Sequence, residues 1–173
     1  MRGKLALLAM VVVLALVNWS IAGKEHHLAE GRIVYLELAP VDPRSLMQGD
    51  FMRLRFGLAN EVYNALPKEK HSRRWRQKIT AEDGKVIVSL DERGVGTYVR
   101  IDDGQPLTLN EIALRYRIRK GTVKFATNAF FFQEGKASIY QPARFGQFRV
   151  DENGELLLAA MYDKDLNQLG SEQ

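Results

Sequence analysis

Leu114-Arg115-Tyr116-Arg117-Ile118-Arg119 alternates apolar and cationic side chains without a break. In an extended chain successive side chains point to opposite faces, so Leu114, Tyr116 and Ile118 share one face and the three arginines the other. A helix would scatter both sets around its circumference, and the stretch predicts a strand with one buried face. The same period recurs on either side. Ile33 to Leu38, Met52 to Phe56, Lys85 to Leu90, Thr97 to Ile101, Val123 to Thr127, Ala129 to Gln133, Ala137 to Tyr140, Phe145 to Val150 and Leu156 to Tyr162 read as further strands. Between the runs stand Asp83-Gly84, Arg93-Gly94, Asp103-Gly104, Lys120-Gly121, Glu134-Gly135 and Asn153-Gly154, dipeptides that turn hairpins. Many short strands around one core predict a mainly β fold, a β-sandwich or a partly open β-barrel.

One of these strands has an unusual approach. Pro40-Val41-Asp42-Pro43-Arg44-Ser45-Leu46-Met47-Gln48-Gly49-Asp50 leads into Phe51-Met52-Arg53-Leu54-Arg55-Phe56, where Met52, Leu54 and Phe56 alternate with Phe51, Arg53 and Arg55. Pro43 fixes its own φ and pushes Asp42 toward extended geometry, from which the Asp42 carboxylate accepts from amides further on. Gly49 predicts a positive φ, and Asp50 predicts a carboxylate-amide hydrogen bond that pins the turn. Arg44 is different, because a turn does not need a guanidinium. It forks onto Asp42 or Asp50 within the fold, or it faces a partner's carboxylate.

Leu58 to Leu66 breaks the period of two, with Leu58, Val62, Ala65 and Leu66 at helical spacing and Pro67 as a stop. It predicts one short helix. The segment Lys68 to Lys78 is rich in lysine and arginine and also holds His71 and Trp75, which reads as a solvated loop or as a surface for an anionic partner or lipid headgroups.

At the N-terminus, Arg2 and Lys4 precede an apolar run from Leu5 that ends at Lys24-Glu25-His26-His27. Residues 5–22 span about 27 Å as a helix, close to the ~30 Å hydrocarbon core. The run predicts a single transmembrane helix, with residues 1–23 as anchor and 24–173 as the folded domain. Its length and the interfacial Trp19 favour a retained anchor over a cleaved signal peptide, which Ser20-Ile21-Ala22 would otherwise suit. The cations ahead of the run place the N-terminus in the cytoplasm and the domain in the periplasm of a Gram-negative cell.

The chain has 173 residues, no cysteine and a net charge of +4. Absence of cysteine excludes disulfides, thiolate metal sites and a cysteine nucleophile. Two of the cations sit ahead of the apolar run, so the domain is only mildly basic, and charge gives no ground for nucleic-acid binding. His26 and His27 are adjacent and diverge on any regular element, and no Walker, HExxH, calcium-loop or GxGxxG pattern occurs; no metal or cofactor is expected. Asp102-Asp103 and Asp163-Lys164-Asp165 read as turn carboxylates. Within Phe130-Phe131-Phe132, alternation puts at least one ring on the face opposite the others. Covered on both faces the run is core; otherwise one exposed ring joins Tyr140 and Phe145 in a docking patch.

The stretch from Pro40 to Phe56 resembles the signature of the GDYXXLXY protein family, in which Pro-Val-Asp-Pro-Arg-Ser-Leu leads into Gly-Asp-Tyr-x-x-Leu-x-Tyr. Here Phe51 and Phe56 stand where that pattern has tyrosine. The likeness extends over roughly residues 24–162, with further similar sequence at Phe131 to Gly135, Ala143 to Gly146 and Val150 to Gly154. It implies a membrane-anchored accessory protein with a β-rich domain, a polytopic membrane protein as partner, and no particular reaction. A second, weaker resemblance is to signal peptidases, which place a catalytic serine shortly before a Gly-Asp and a strand; it implies Ser45 as nucleophile. Such chemistry needs a basic partner, and Lys85 and Lys124 are the lysines available, since Arg100 does not deprotonate. The leading expectation is a non-catalytic interaction module of the bacterial inner membrane. Its candidate docking residues are Asp42, Arg44, Asp50, Arg53 and Arg55, for all of which a structural role in the fold is the competing reading; Pro43, Gly49, Phe51, Leu54 and Phe56 complete the motif, and the alternative function is a membrane-tethered serine hydrolase using Ser45.

Overall fold

The computed structural model describes residues 2–39, 47–48, 51–69, 78–79, 83–127 and 129–171. Helix α1 (Arg2–Glu30) is followed by strands β1 (Arg32–Glu37), β2 (Met47–Gln48) and β3 (Phe51–Arg53), then helix α2 (Gly57–Ala65). Next come β4 (Lys68–Glu69), β5 (Lys78–Ile79), β6 (Gly84–Leu90), β7 (Gly96–Ile101), β8 (Glu111–Arg119), β9 (Thr122–Lys124) and β10 (Ala129–Phe131). A single helical turn, α3 (Ala137–Tyr140), precedes β11 (Phe145–Val150), β12 (Leu156–Tyr162) and β13 (Gln168–Leu169). The chain is mainly β, as its period of two requires.

Two four-stranded antiparallel sheets dominate, β1-β11-β12-β13 and β7-β6-β8-β9, with a three-stranded sheet β10-β3-β2 and a two-stranded β4-β5 ladder beside them. A parallel bridge from Tyr35 to Val95 joins the two large sheets. Both contribute to one core: Val34, Leu36, Phe148 and Met161 from the first, Val86, Val88, Leu114 and Tyr116 from the second. Strand β8 follows its sequence, with Leu114 and Tyr116 buried and Arg115, Arg117 and Arg119 exposed. Those arginines are tied down, Arg115 and Arg117 on Glu155 and Arg119 on Asp83. Helix α2 buries Leu58 and Val62, and its chain leaves helical geometry at Leu66, before Pro67.

Ala137 to Tyr140 is a correction: a helical turn replaces the expected strand. Lys136 donates to the Gln133 carbonyl and Ile139 to that of Lys136, and Ala137 and Tyr140, three apart, turn inward together. Glycines 94, 104, 121, 135 and 154 take positive φ in turns, as expected. Gly84 does not; it is the first residue of β6, paired with Tyr116, whose ring lies so close that a Cβ would meet the phenol oxygen at 2.8 Å. The ends of the basic segment differ from the expected loop, because Lys68–Glu69 and Lys78–Ile79 pair antiparallel as β4 and β5.

The apolar run of α1 carries the chain's long exposed hydrophobic surface; a window of this helix has mean hydropathy 1.9 and none of it is buried. It is apolar and long enough to cross a membrane. Asn18 returns its amide to the Leu14 carbonyl at 2.9 Å, which satisfies a polar group inside the run. Lys24 ends the apolar run without ending the helix, which continues to Glu30.

Candidate functional site

Three places are candidates for a functional site: the junction between helix and domain, the face of the signature strand, and the segment of residues 40–50 that precedes it in sequence. At the junction, the last turn of α1 brings His27 against the β11–β12 turn. His27 is buried, and its Nε2 lies 3.0 Å from the Arg149 carbonyl. A carbonyl only accepts, so Nε2 carries the proton, and Nδ1 faces the Asp151 carboxylate at 4.0 Å. Gly31 closes the contact by donating to the His27 carbonyl at 3.0 Å and accepting from the Arg149 guanidinium at 3.1 Å. A Cβ on Gly31 would lie 2.5 Å from the His27 carbonyl oxygen. His26 diverges into an adjoining cleft of about 540 Å³ that Glu30, Asp151 and Glu152 also line. Among the described residues no group of three or more histidines and carboxylates is placed to hold a metal ion.

The signature strand has two unlike faces. Met52, Leu54 and Phe56 are buried, and Phe56 meets Phe148 edge to face at 5.3 Å in the core. Phe51, Arg53 and Arg55 point the other way, Phe51 half-buried and both arginines exposed. Antiparallel pairing sets Phe131 opposite Phe51, and their rings are 5.8 Å apart. Phe131 is 74% exposed, the most accessible ring of the folded domain among the described residues. Its flanking neighbours turn inward, with Phe130 and Phe132 both against Tyr140 at 5.0 and 5.2 Å. The exposed ring is thus joined by Phe51. Tyr140 and Phe145, the companions that a docking patch would have had, are both buried, Tyr140 at the end of α3 against Phe130 and Phe132 and Phe145 at the start of β11.

Next to Arg53 and Arg55 runs a groove of about 560 Å³. Arg53, Arg55, Asn60 and Lys124 form its rim, and Leu54 and Phe125 are among the apolar residues of its floor. Leu38 and Phe56 form an antiparallel bridge, so the far end of β1 abuts this strand while its near end, Arg32, adjoins α1. At ~3.3 Å per residue, β1 places the signature about 20 Å from the point where the helix enters the domain.

Asp42, Pro43, Arg44, Ser45, Gly49 and Asp50 lie outside the described residues, as does His71. Of the two lysines considered as bases, Lys124 is on the groove rim and Lys85 is on β6, paired with Arg115. Five carboxylates elsewhere are held by hydrogen bonds within the fold. Asp83 is held below the usual carboxylate range by Arg119 and the Ile118 amide, and Asp91 by the amides of Val95 and Arg93. Glu111 is lowered by Thr108 and Arg100, Asp103 by Gln105 and Arg100, and Asp163 by Asn167 and the Asp165 amide. Sequence reasoning missed the pairing of Phe51 with Phe131 and the place of Lys124. Both depend on register between distant strands, for which the sequence carries no local signal.

A family model described as GDYXXLXY protein matches residues 13–161. No curated protein and no solved structure matches the chain.

Proposed function

The chain belongs to the GDYXXLXY protein family, and on that premise we propose that it is a membrane-anchored, non-catalytic interaction module. Its helix spans the bacterial inner membrane once with the N-terminus in the cytoplasm, and its domain, residues 24–173, stands in the periplasm against a polytopic membrane protein. The observation that carries this reading is the outward face of the signature strand. A strand that only shaped the fold would need Met52, Leu54 and Phe56; it would not need the exposed Phe131 ring, paired with Phe51, beside two exposed arginines. Aromatic and arginine side chains together are what protein interfaces are enriched in.

The test is co-purification of the full-length, C-terminally tagged chain from membranes in mild detergent, with mass spectrometry of what accompanies it. The expected result is a stoichiometric multi-spanning protein that is lost on Phe131→Ala. A solitary chain would overturn the reading. A fluorophosphonate probe is expected to leave Ser45 unlabelled; labelling there would make the serine-hydrolase alternative the better account.

A further inference from the structure

The arginines of the β7-β6-β8-β9 sheet have carboxylate partners. Arg100 reaches Glu111 at 2.9 Å and Asp103 at 3.5 Å, Arg115 and Arg117 share Glu155 at 2.6 and 3.1 Å, and Arg119 meets Asp83 at 2.9 Å. The groove beside the signature strand has a cationic lining. Cations Arg53, Arg55 and Lys124 line it, and none of the described residues lining it is a carboxylate. Arg55 and Lys124 form no ion pair with another described residue. Their charges stand over a floor of Leu54 and Phe125, each less than 5% exposed, where a lower local dielectric strengthens pairing with an incoming anion. Phe51 and Arg55 share the outward face of the signature strand four positions apart, about 13 Å, a distance that about four residues of an extended partner would span.

We propose that this groove receives an extended acidic segment of the partner protein, with carboxylates on Arg55 and Lys124 and an apolar side chain on the Phe51–Phe131 pair. The proposal rests on the interaction-module reading and names the chemistry of its partner. An acidic strand satisfies both halves of the site: the cationic groove selects charge, and the ring pair beyond Arg53 supplies the apolar anchor that gives residence time. Neutral and basic segments are rejected because they leave Arg55 and Lys124 facing no counter-charge as they are desolvated.

The test uses the full-length chain in living cells, with the photocrosslinking residue benzoylphenylalanine at position 131 and, as a control, at Val99 on β7. The captured peptide is sequenced by mass spectrometry. The expected peptide comes from an extramembrane segment, is rich in Asp and Glu, and is absent at the control position. Its yield is expected to fall at least about fivefold in Arg55→Glu/Lys124→Glu, the weakening for two weak ion pairs lost and replaced by repulsion. Arg55→Gln/Lys124→Gln, which adds no repulsion, serves if the reversed pair disturbs folding by circular dichroism, and it is expected to lower the yield by a smaller factor. A captured segment without acidic residues, or a yield indifferent to both double variants, overturns the proposal and leaves the interaction reading standing. Capture of residues 40–50 of this same chain also overturns it, because the signature turn then fills its own groove. Capture of nothing at position 131 overturns both.

Discussion

Phe148 and Phe131 are both strand phenylalanines with opposite duties. Phe148 is fully buried against Phe56, and Phe148→Ala is expected to cost about 3–5 kcal/mol in urea unfolding, the combined loss of transfer energy and of packing around a cavity. Phe131→Ala removes a ring that is 74% exposed and is expected to change stability by no more than about 0.5 kcal/mol while abolishing recovery of the partner. A large loss of stability in Phe131→Ala would make that ring structural. His27 is legible in the sequence only as half of a histidine pair after an apolar run. Its burial comes from Arg149 and Asp151, which lie far along the chain. His27→Ala deletes a buried side chain and its hydrogen bond, and is expected to destabilise the domain by roughly 1–3 kcal/mol. An unchanged unfolding midpoint would show that the helix end does not contribute to the fold.

Hairpins show best what short-range sequence can specify. Asp91, Asp151 and Asp163 each open a turn in which one carboxylate oxygen accepts from the amides two and four residues on, at 2.8 to 2.9 Å. A glycine at positive φ follows the first two, and Leu166 takes that place in the third. These devices are written within five residues, so they can be read without knowing the fold. Ala137 to Tyr140 is the counter-example, because four residues that alternate in polarity satisfy a helical turn equally well once Tyr140 has a place under Phe130 and Phe132. The carboxylates of Asp83, Asp91, Asp103, Glu111 and Asp163 are all lowered in the folded protein by the hydrogen bonds and arginines they meet. Between the folded and unfolded values the unfolded chain binds more protons, so stability rises with pH through that window and is lost as pH falls through it. The urea midpoint is therefore expected to be flat from pH 7 to about 5 and to drop below about 4. A midpoint that stays level to pH 3 would mean that these pairs are as well solvated in the unfolded state.

For the whole molecule, the arrangement is a long exposed apolar helix running into a β-rich body without an intervening linker: α1 ends at Glu30 and β1 begins at Arg32. The full chain is expected to stay with the membrane on carbonate extraction at high pH, and a C-terminal alkaline phosphatase fusion is expected to be active. Release into the supernatant would mean that the helix is cut away, and an inactive fusion would mean that the domain faces the cytoplasm. The sequence by itself determined the mainly β class, the apolar helix, the two faces of the signature strand and most hairpin turns, because each follows from residues within a dozen positions of one another. Tertiary structure alone decided that Phe51 stands beside Phe131, that Lys124 joins Arg53 and Arg55 on one groove, and that His27 is buried against Arg149. Those contacts join segments far apart in the chain, and which distant strands pair is set by how all the apolar faces fill one core together, a condition that no local stretch contains.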